Sequence, residues 1–409
     1  MTGFTKKIGS LTAMGLVLSI SAAGAQESGT INQVQLGDVW SDMDVYVPES
    51  TTEVGSTSVS VGNTATAARI YGDVSSEITQ EFDATSTATN RLRGYSAGRA
   101  VATTTAYGNA AYGGTDDGAN SFRTQQSASG RIEALTDIQL SGASEIASAT
   151  TAIANVASTD NNYGSNNANQ VQQSSADVIA ETDADMCCDG YYASFAAMAG
   201  ANATSSTGYT STNNNNVRQV TSDDSAVRAS TDVYMNDGHN VSAVTNAFGN
   251  SATVHNEWGY ATLGQAGEPV EQTNGAEIDA QSYVTLDHWS GYATSSAYGV
   301  GNSALISNVG SDTVMYANQT NDGTVGSQAS FSGQSTVGGA GIVSATSIGN
   351  AATGTVCNYC SDGAVGGVIN QTNNGQVYAY GRATTTYGSA IFGSATAIGN
   401  SATLQSAGD

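Results

Sequence analysis

Small and β-branched apolar residues alternate with polar residues along most of this chain, which is the pattern of β-strands. The clearest example is 368–403, where Val377 and Ala379 share one predicted strand face and Tyr378 and Tyr380 share the other. After residue 25, no stretch keeps the i, i+3, i+4, i+7 spacing of large apolar residues that marks an amphipathic helix. The pattern therefore predicts an all-β fold.

Two amide residues recur at nearly constant intervals. Asparagines preceded by Gly or Ala recur every 46 to 52 residues, at Asn63, Asn109, Asn155, Asn202, Asn250, Asn302, Asn350 and Asn400. Between them lie Gln33, Gln80, Gln126, Gln172, Gln219, Gln272, Gln319 and Gln371. Each Gln precedes the next marked Asn by 29 to 31 residues, so a fixed part alternates with a variable part that accepts insertions. A disordered chain has no reason to keep this spacing, which indicates about eight repeats.

These repeats predict a β-solenoid, a β-helix-like stack that runs from about Gln33 to the C-terminus. A repeat of 46 to 52 residues is long for one small coil, so we expect two or three coils per repeat. Gln and Asn at equivalent positions predict side-chain amide ladders along the stack. Gly-Asn favours a positive φ, so we expect corners at those pairs.

The first 25 residues are predicted to be a secretory signal peptide. Lys6 and Lys7 precede an apolar run from Ile8 to Ile20, and the run leads to the cleavage-site pattern Ala23-Gly24-Ala25. The run is too short to span a bilayer, and no other segment is a candidate transmembrane span. We therefore expect two parts, a signal peptide at 1–25 and a repeat domain of a secreted protein at 26–409.

The charge of the mature chain argues against nucleic acid as a partner. Lys6 and Lys7 are the only lysines, so removing them from the net charge of −24 leaves nine arginines against 35 acidic residues, a net charge of −26. Binding to phosphates requires a basic face, which this composition does not supply.

The sequence carries no recognisable catalytic, metal or cofactor motif. The histidines His239, His255 and His288 stand in dissimilar contexts. The acidic pairs Asp116-Asp117 and Asp223-Asp224 lack the glycine-rich nonapeptide that builds calcium rungs, and whether they bind calcium stays open. We predict no catalytic residue, no metal site and no cofactor.

The four cysteines form two pairs, the vicinal Cys187-Cys188 and the C-x-x-C pair Cys357 and Cys360. In an exported protein the default is a disulfide, and four cysteines allow three pairings. A bridge from Cys357 to Cys360 is the easiest because the two pairs lie several repeats apart. Cross-linking between molecules through Cys187 or Cys188 is a further alternative.

Two surfaces are candidates for partners. Tyr378, Tyr380 and Tyr387 are candidates for stacking on a glycan or for contact with a protein partner, although tyrosine also occurs as an ordinary outward neighbour on a sheet. The terminal coils of a solenoid leave unpaired strand edges, and no lysine protects them. We therefore expect that the chain can self-associate through these edges.

The motif from Ile369 to Asn373, with Gly375, Val377 and Ala379, resembles the Gln/Asn/Gly repeats of curli subunits, although the repeat here is about twice as long. The signal peptide, the opening Ile31–Val39 and the Gly-Asn-Ser-Ala-Thr repeats resemble the holdfast anchor (attachment) protein D family, HfaD. That resemblance implies a non-enzymatic surface protein that anchors holdfast adhesive polysaccharide to the bacterial outer membrane, in attachment and biofilm formation. It also implies two partners, a fibre-forming anchor protein and a curli-pore-like secretion lipoprotein.

Two alternatives remain. The first is a curli-like functional-amyloid fibre subunit that polymerises through its edges. The second is a polysaccharide-active enzyme on a β-helix, which needs clustered acids beside basic residues in a groove. The arginines thin out after Arg131, which disfavours the enzyme.

Overall fold

The computed structural model describes residues 27–357, 363–386 and 390–407. In these ranges all the secondary-structure elements are strands, and they join one 17-stranded sheet. Every pairing between the strands is parallel. This confirms the predicted all-β solenoid.

The strands follow one another with short connections. They are β1 Glu27–Gln35, β2 Val39–Val47, β3 Thr51–Arg69, β4 Val74–Thr115, β5 Ala119–Asn162, β6 Ser165–Ser174, β7 Asp177–Tyr209, β8 Thr212–Thr221, β9 Ala226–Glu257, β10 Ala261–Leu263, β11 Val270–Asn274, β12 Glu277–Val309, β13 Thr313–Asn321, β14 Val325–Cys357, β15 Val365–Asn373, β16 Val377–Thr385 and β17 Ala390–Ala407.

One sequence repeat makes one coil. Asn63 pairs with Asn109 in the next coil, and Asn109 pairs with Asn155 in the one after. The expectation of two or three coils per repeat was therefore wrong. The described coils, numbered from the N-terminal end, span 27–69, 74–115, 119–162, 165–209, 212–257, 261–309, 313–357 and 365–407.

Each coil is wide because it contains three strand segments. In coil 1 these segments are three separate strands. The first segment (β1) and the second segment (β2) have 9 residues each, and the third segment (β3) has 19. The third segment runs back over the other two. Ser60 Oγ donates to the carbonyl oxygen of Val39 at 3.0 Å, and Gln33 Nε2 donates to the carbonyl oxygen of Thr64 at 2.8 Å. The coil is therefore flattened into two layers with the interior between them.

The interior combines small apolar residues with polar ones. The second segments of successive coils place a β-branched residue and then an alanine inward, and Ile132, Ala134, Val178 and Ala180 are fully buried. Serine and threonine also lie inside, where Thr104 and Thr136 join their hydroxyl oxygens at 2.6 Å. Such small side chains let the two layers approach closely. This is why a chain poor in leucine still forms a packed interior.

The Gly-Asn pairs lie within the third segment and do not form corners, which corrects the expectation of positive φ there. None of these asparagines or their preceding glycines is among the described residues of positive φ. The glycines serve close approach instead, because a Cβ on Gly108 would lie 2.7 Å from the carbonyl oxygen of Ala154 in the next coil. The corners use other residues, such as Gly94 with a φ of 139° and Tyr163 with a φ of 54°.

The predicted signal peptide lies outside the described residues. Within the described part, no helix has the length and apolar character needed to cross a membrane.

Candidate functional site

The recurring amides form two continuous ladders through the stack. Along the asparagine ladder each Nδ2 donates to the Oδ1 of the next marked asparagine at 2.8 or 2.9 Å. Along the glutamine ladder each Nε2 donates to the Oε1 of the preceding marked glutamine at 2.7 or 2.8 Å. The site residues Gln272, Gln319, Gln371, Asn250, Asn302, Asn350 and Asn400 all belong to them. The ladders tie the coils together, so their role is structural.

The two ladders point in opposite directions, so the ends of the stack differ. Coil 1 ends the asparagine ladder with the acceptor Asn63 Oδ1, and coil 8 ends it with the donor Asn400 Nδ2. The glutamine ladder begins with Gln33 Nε2 and ends with the acceptor Gln371 Oε1. Each end thus presents the groups that the other end would pair with. The interior is also more open at the C-terminal end of the stack, because Val377 in coil 8 is only half-buried while its register partner Val325 in coil 7 is fully buried.

Tyr378 and Tyr380 lie on the outer surface of the second segment of coil 8, where they are 47% and 50% exposed. Tyr378 packs over Gly326, since a Cβ there would lie 2.4 Å from the tyrosine ring. Partial burial, and next the charges of Asp279 and Glu277, raise the pKa of Tyr378. Tyr387 lies outside the described residues. The two described tyrosines therefore form an aromatic surface with acidic neighbours.

Carboxylates stack on the same outer surface in the middle of the solenoid. Asp137, Asp183 and Asp232 are register partners in three successive coils. Burial raises the pKa of Asp183, and the charges of Asp232 and Asp137 add to this effect. Burial likewise raises the pKa of Asp232. Among the described residues, no group of three or more His, Cys, Asp or Glu is arranged to hold a metal ion.

The cysteines lie in two separate places. Cys187 and Cys188 are at the corner between the second and third segments of coil 4, with their sulfur atoms 2.8 Å apart. Cys357 ends β14, at the corner that leads from coil 7 into coil 8, and Cys360 lies outside the described residues. Because the pairs are on different corners and three coils apart, this placement argues against a bridge between Cys187 or Cys188 and Cys357. The predicted bridge from Cys357 to Cys360 lies partly outside the described residues and stays a prediction.

A groove at the corner between the second and third segments was not predicted from the sequence. It has a volume of about 1010 Å³ and crosses coils 2 to 6. Its walls include Tyr95, Tyr191, Tyr192, His239 and His288. The only sequence signal is that aromatic residues and histidines stand beside Gly residues at equivalent points of successive repeats. Those residues do not repeat in type, so their proximity emerges only when the coils are stacked.

A family model described as Holdfast attachment protein D matches residues 48–325, which is more than half of the chain. No curated protein and no solved structure matches the chain.

Proposed function

Since the chain belongs to the Holdfast attachment protein D family, we propose that it is a secreted, non-enzymatic surface protein that anchors holdfast adhesive polysaccharide to the outer membrane. In that role it supports attachment of the cell and biofilm formation. The fibre-forming anchor protein and the curli-pore-like secretion lipoprotein are its proposed partners.

The observation that carries this proposal is the family match across 48–325, because that range lies within the coil stack and covers most of it. A stack of eight coils at a strand spacing of about 4.8 Å is roughly 34 Å long between its first and last coils. Equivalent outward side chains recur along that length, so a polymer can be contacted at several coils at once. Contacts made in parallel strengthen retention without requiring a strong single contact. This is the property that an anchor for a polymer requires.

A deletion strain tests the proposal. Cells that lack the protein should make adhesive polysaccharide and shed it into the medium, and the wild-type gene should restore retention. Normal retention of the adhesive by the deletion strain would refute the anchor. Loss of adhesive synthesis, or glycan cleavage by the purified protein, would favour the enzyme alternative.

The complementary ends of the stack favour a second function, end-to-end assembly of copies into a fibre. When coil 8 of one copy meets coil 1 of the next, Asn400 Nδ2 faces Asn63 Oδ1, and Gln371 Oε1 faces Gln33 Nε2. Both ladders then continue across the junction. The acidic surfaces of neighbouring copies repel each other sideways. The expected product is therefore an unbranched fibre.

The variant Asn400→Asp separates this assembly from folding. An aspartate still accepts the bond from Asn350 Nδ2, which is 2.8 Å long in the native chain, but it has no donor for the next copy. We expect the variant to stay monomeric in sedimentation at concentrations where the wild type forms thioflavin-positive fibres. Asn370→Asp is the matched control, because it adds the same charge at an exposed position of the same coil. Equal assembly by Asn400→Asp and the wild type would refute the ladder junction, and a wild type that stays monomeric would refute the fibre.

A further inference from the structure

We propose that the corner groove of coils 2 to 6 binds a neutral or amine-bearing saccharide chain. This inference rests on the proposed anchor function and deepens it by naming the contact site and the class of glycan. The groove follows the stack axis across four coil spacings, or roughly 19 Å. A linear oligosaccharide therefore fits along it, with successive sugars over successive coils.

The groove exists because its corner residues are small. Gly190 leaves room for a side chain of the next coil, since a Cβ there would lie 2.2 Å from Met235 Cε. Gly98 allows close approach of the preceding coil, where a Cβ would lie 2.6 Å from the carbonyl oxygen of Thr52. The indole of Trp289 is buried at the far end and packs edge to face on Phe331, with ring centroids 5.0 Å apart. The floor is therefore formed by glycines and packed rings.

The aromatic side chains on the wall are fixed by one another. Tyr191 and Tyr192 are 52% and 54% exposed, and their rings meet at 80° with centroids 4.7 Å apart. His239 of coil 5 also packs against this pair. Its ring stacks on the ring of Tyr191, with centroids 4.4 Å apart and an angle of 18° between the ring planes. Exposed aromatic rings that already support each other lose little conformational entropy when a ligand binds. Their flat apolar surfaces match the C–H faces of pyranose rings, as tyrosine does at other wet interfaces.

Polar groups lie beside the rings at the spacing of the coils. His239 Nδ1 and Ser290 Oγ are 2.7 Å apart in a hydrogen bond. His288 Nδ1 lies 3.7 Å from Asp237 Oδ1. These groups are part-buried or exposed, so they remain within reach of a ligand in the groove. A mixture of hydroxyl, imidazole and carboxylate groups next to apolar rings is suited to sugar hydroxyls, which both donate and accept hydrogen bonds.

The charge of the groove selects among glycans. Asp237 and Glu145 line it, and Arg99, which follows the lining residue Gly98 in the sequence, pairs with Glu53 at 3.2 Å and with Glu145 at 3.8 Å. The cation is thus already engaged by carboxylates. A polyuronate would meet these acids and the net charge of −26 on the predicted mature chain, which opposes its binding. Neutral sugars avoid the repulsion, and amino sugars are attracted.

Three tetrasaccharides of one length and different charge test the proposal on the full mature protein. Cellotetraose is neutral, chitosan tetraose is cationic and tetragalacturonate is anionic. In titration calorimetry we expect the first two to bind at least about tenfold more tightly than the third. Failure of both the neutral and the cationic probe to bind would overturn the proposal, as would preferred binding of the uronate.

The double variant Tyr191→Ala/Tyr192→Ala should weaken the affinity for cellotetraose at least about tenfold, because it removes the stacking wall. The matched control Tyr163→Ala/Tyr209→Ala removes another edge-to-face pair of exposed tyrosines, with ring centroids 5.6 Å apart, at a corner away from the groove. It should change the affinity less than about twofold. The melting temperature and the far-ultraviolet circular dichroism of both variants verify folding. If folding is intact and the groove variant keeps its affinity, the groove is not the binding site.

The same groove variant, expressed in the deletion strain, separates this inference from the anchor function. Shedding of adhesive from the groove variant, with retention by the control Tyr163→Ala/Tyr209→Ala, supports both. If the deletion strain sheds adhesive but the groove variant retains it, the groove proposal fails and the anchor stands. If the deletion strain itself sheds nothing, the anchor function fails, whatever the purified groove binds.

Discussion

The asparagine ladder should carry a measurable share of the stability of the stack, and Asn250 is the residue at which to measure it. Its side chain is fully buried in coil 5. Its Nδ2 donates to Asn302 Oδ1 at 2.8 Å and to the carbonyl oxygen of Thr273 at 2.9 Å, while its Oδ1 accepts from Asn202 Nδ2 at 2.9 Å. The substitution Asn250→Ala therefore removes one donor group and one acceptor group, and with them the hydrogen bonds that join coil 5 to coils 4 and 6 at this position.

The magnitude follows from the groups that the substitution leaves without partners. Asn302 Oδ1 and the carbonyl oxygen of Thr273 lose the donor that Asn250 supplied. Thr273 lies in β11, which pairs with a strand on each side, so its carbonyl oxygen keeps a ladder partner, whereas Asn302 Oδ1 is left without a donor. A buried polar group without its partner costs about 1–3 kcal/mol, so we expect a loss of about 1–3 kcal/mol in the free energy of unfolding. Asn202 Nδ2 also loses a partner, but this costs less because it still donates to the carbonyl oxygen of Val220 at 3.0 Å.

Urea unfolding followed by circular dichroism measures the loss, and hydrogen exchange locates it. Repeat stacks are held together by neighbour contacts, so the added exchange should concentrate in coils 4 to 6. The control Asn370→Ala breaks an exposed 2.9 Å bond to Asn318 Oδ1 and should cost less than about 1 kcal/mol. Equal losses for the two variants would refute the view that burial makes the ladder stabilising.

Two further predictions concern a close approach and a partly desolvated surface charge. Gly249→Ala should destabilise the protein by about 1–3 kcal/mol in urea unfolding, because its Cβ would lie 2.3 Å from Asn274 Oδ1, whereas Gly55→Ala has open space and should be nearly neutral. Equal effects would contradict this. The pKa of Asp183 is raised by partial burial and by the charge of Asp232, so ionisation of Asp183 opposes folding. The unfavourable contribution of this charge to the free energy of folding should therefore decrease as the pH falls from 7 through the raised pKa. Asp183→Asn should therefore raise the melting temperature at pH 7 and flatten its rise toward lower pH, and a lowered melting temperature at pH 7 would contradict the assignment.

The regular spacing of amides made the stacking direction predictable from the sequence. Residues that recur at a fixed interval and fill equivalent positions must lie above one another in a solenoid, so Gln172 and Gln219 had to be neighbours. The number of coils per repeat was not predictable in the same way. Ser60 and Thr104 are buried, although their type is typical of a surface. A sequence pattern does not show that such residues face inward, so it understated the width of each coil.

The Gly-Asn error and the missed groove have related causes. Glycine serves a positive φ, a close approach or both, and the sequence does not distinguish Gly94, which combines the two, from Gly108, which has a close approach alone. The groove depends on side chains from successive coils, such as Tyr191 and His239, that share no motif. Their contact follows from the corner geometry, which insertions shift from coil to coil.

Charge and hydrogen bonding together decide how such a stack meets its surroundings. The sides carry carboxylates in register, such as Asp137, Asp183 and Asp232, so two stacks are repelled when they approach side by side. The ends of the described stack carry strand edges that pair with no other described strand, and the last amides of two ladders, which are directional groups with a fixed spacing. Contact at an end therefore favours strands and amides in matching order. Contact at the side favours a neutral or cationic polymer. The proposed self-assembly and the proposed ligand binding therefore use perpendicular surfaces, so variants of one should leave the other intact.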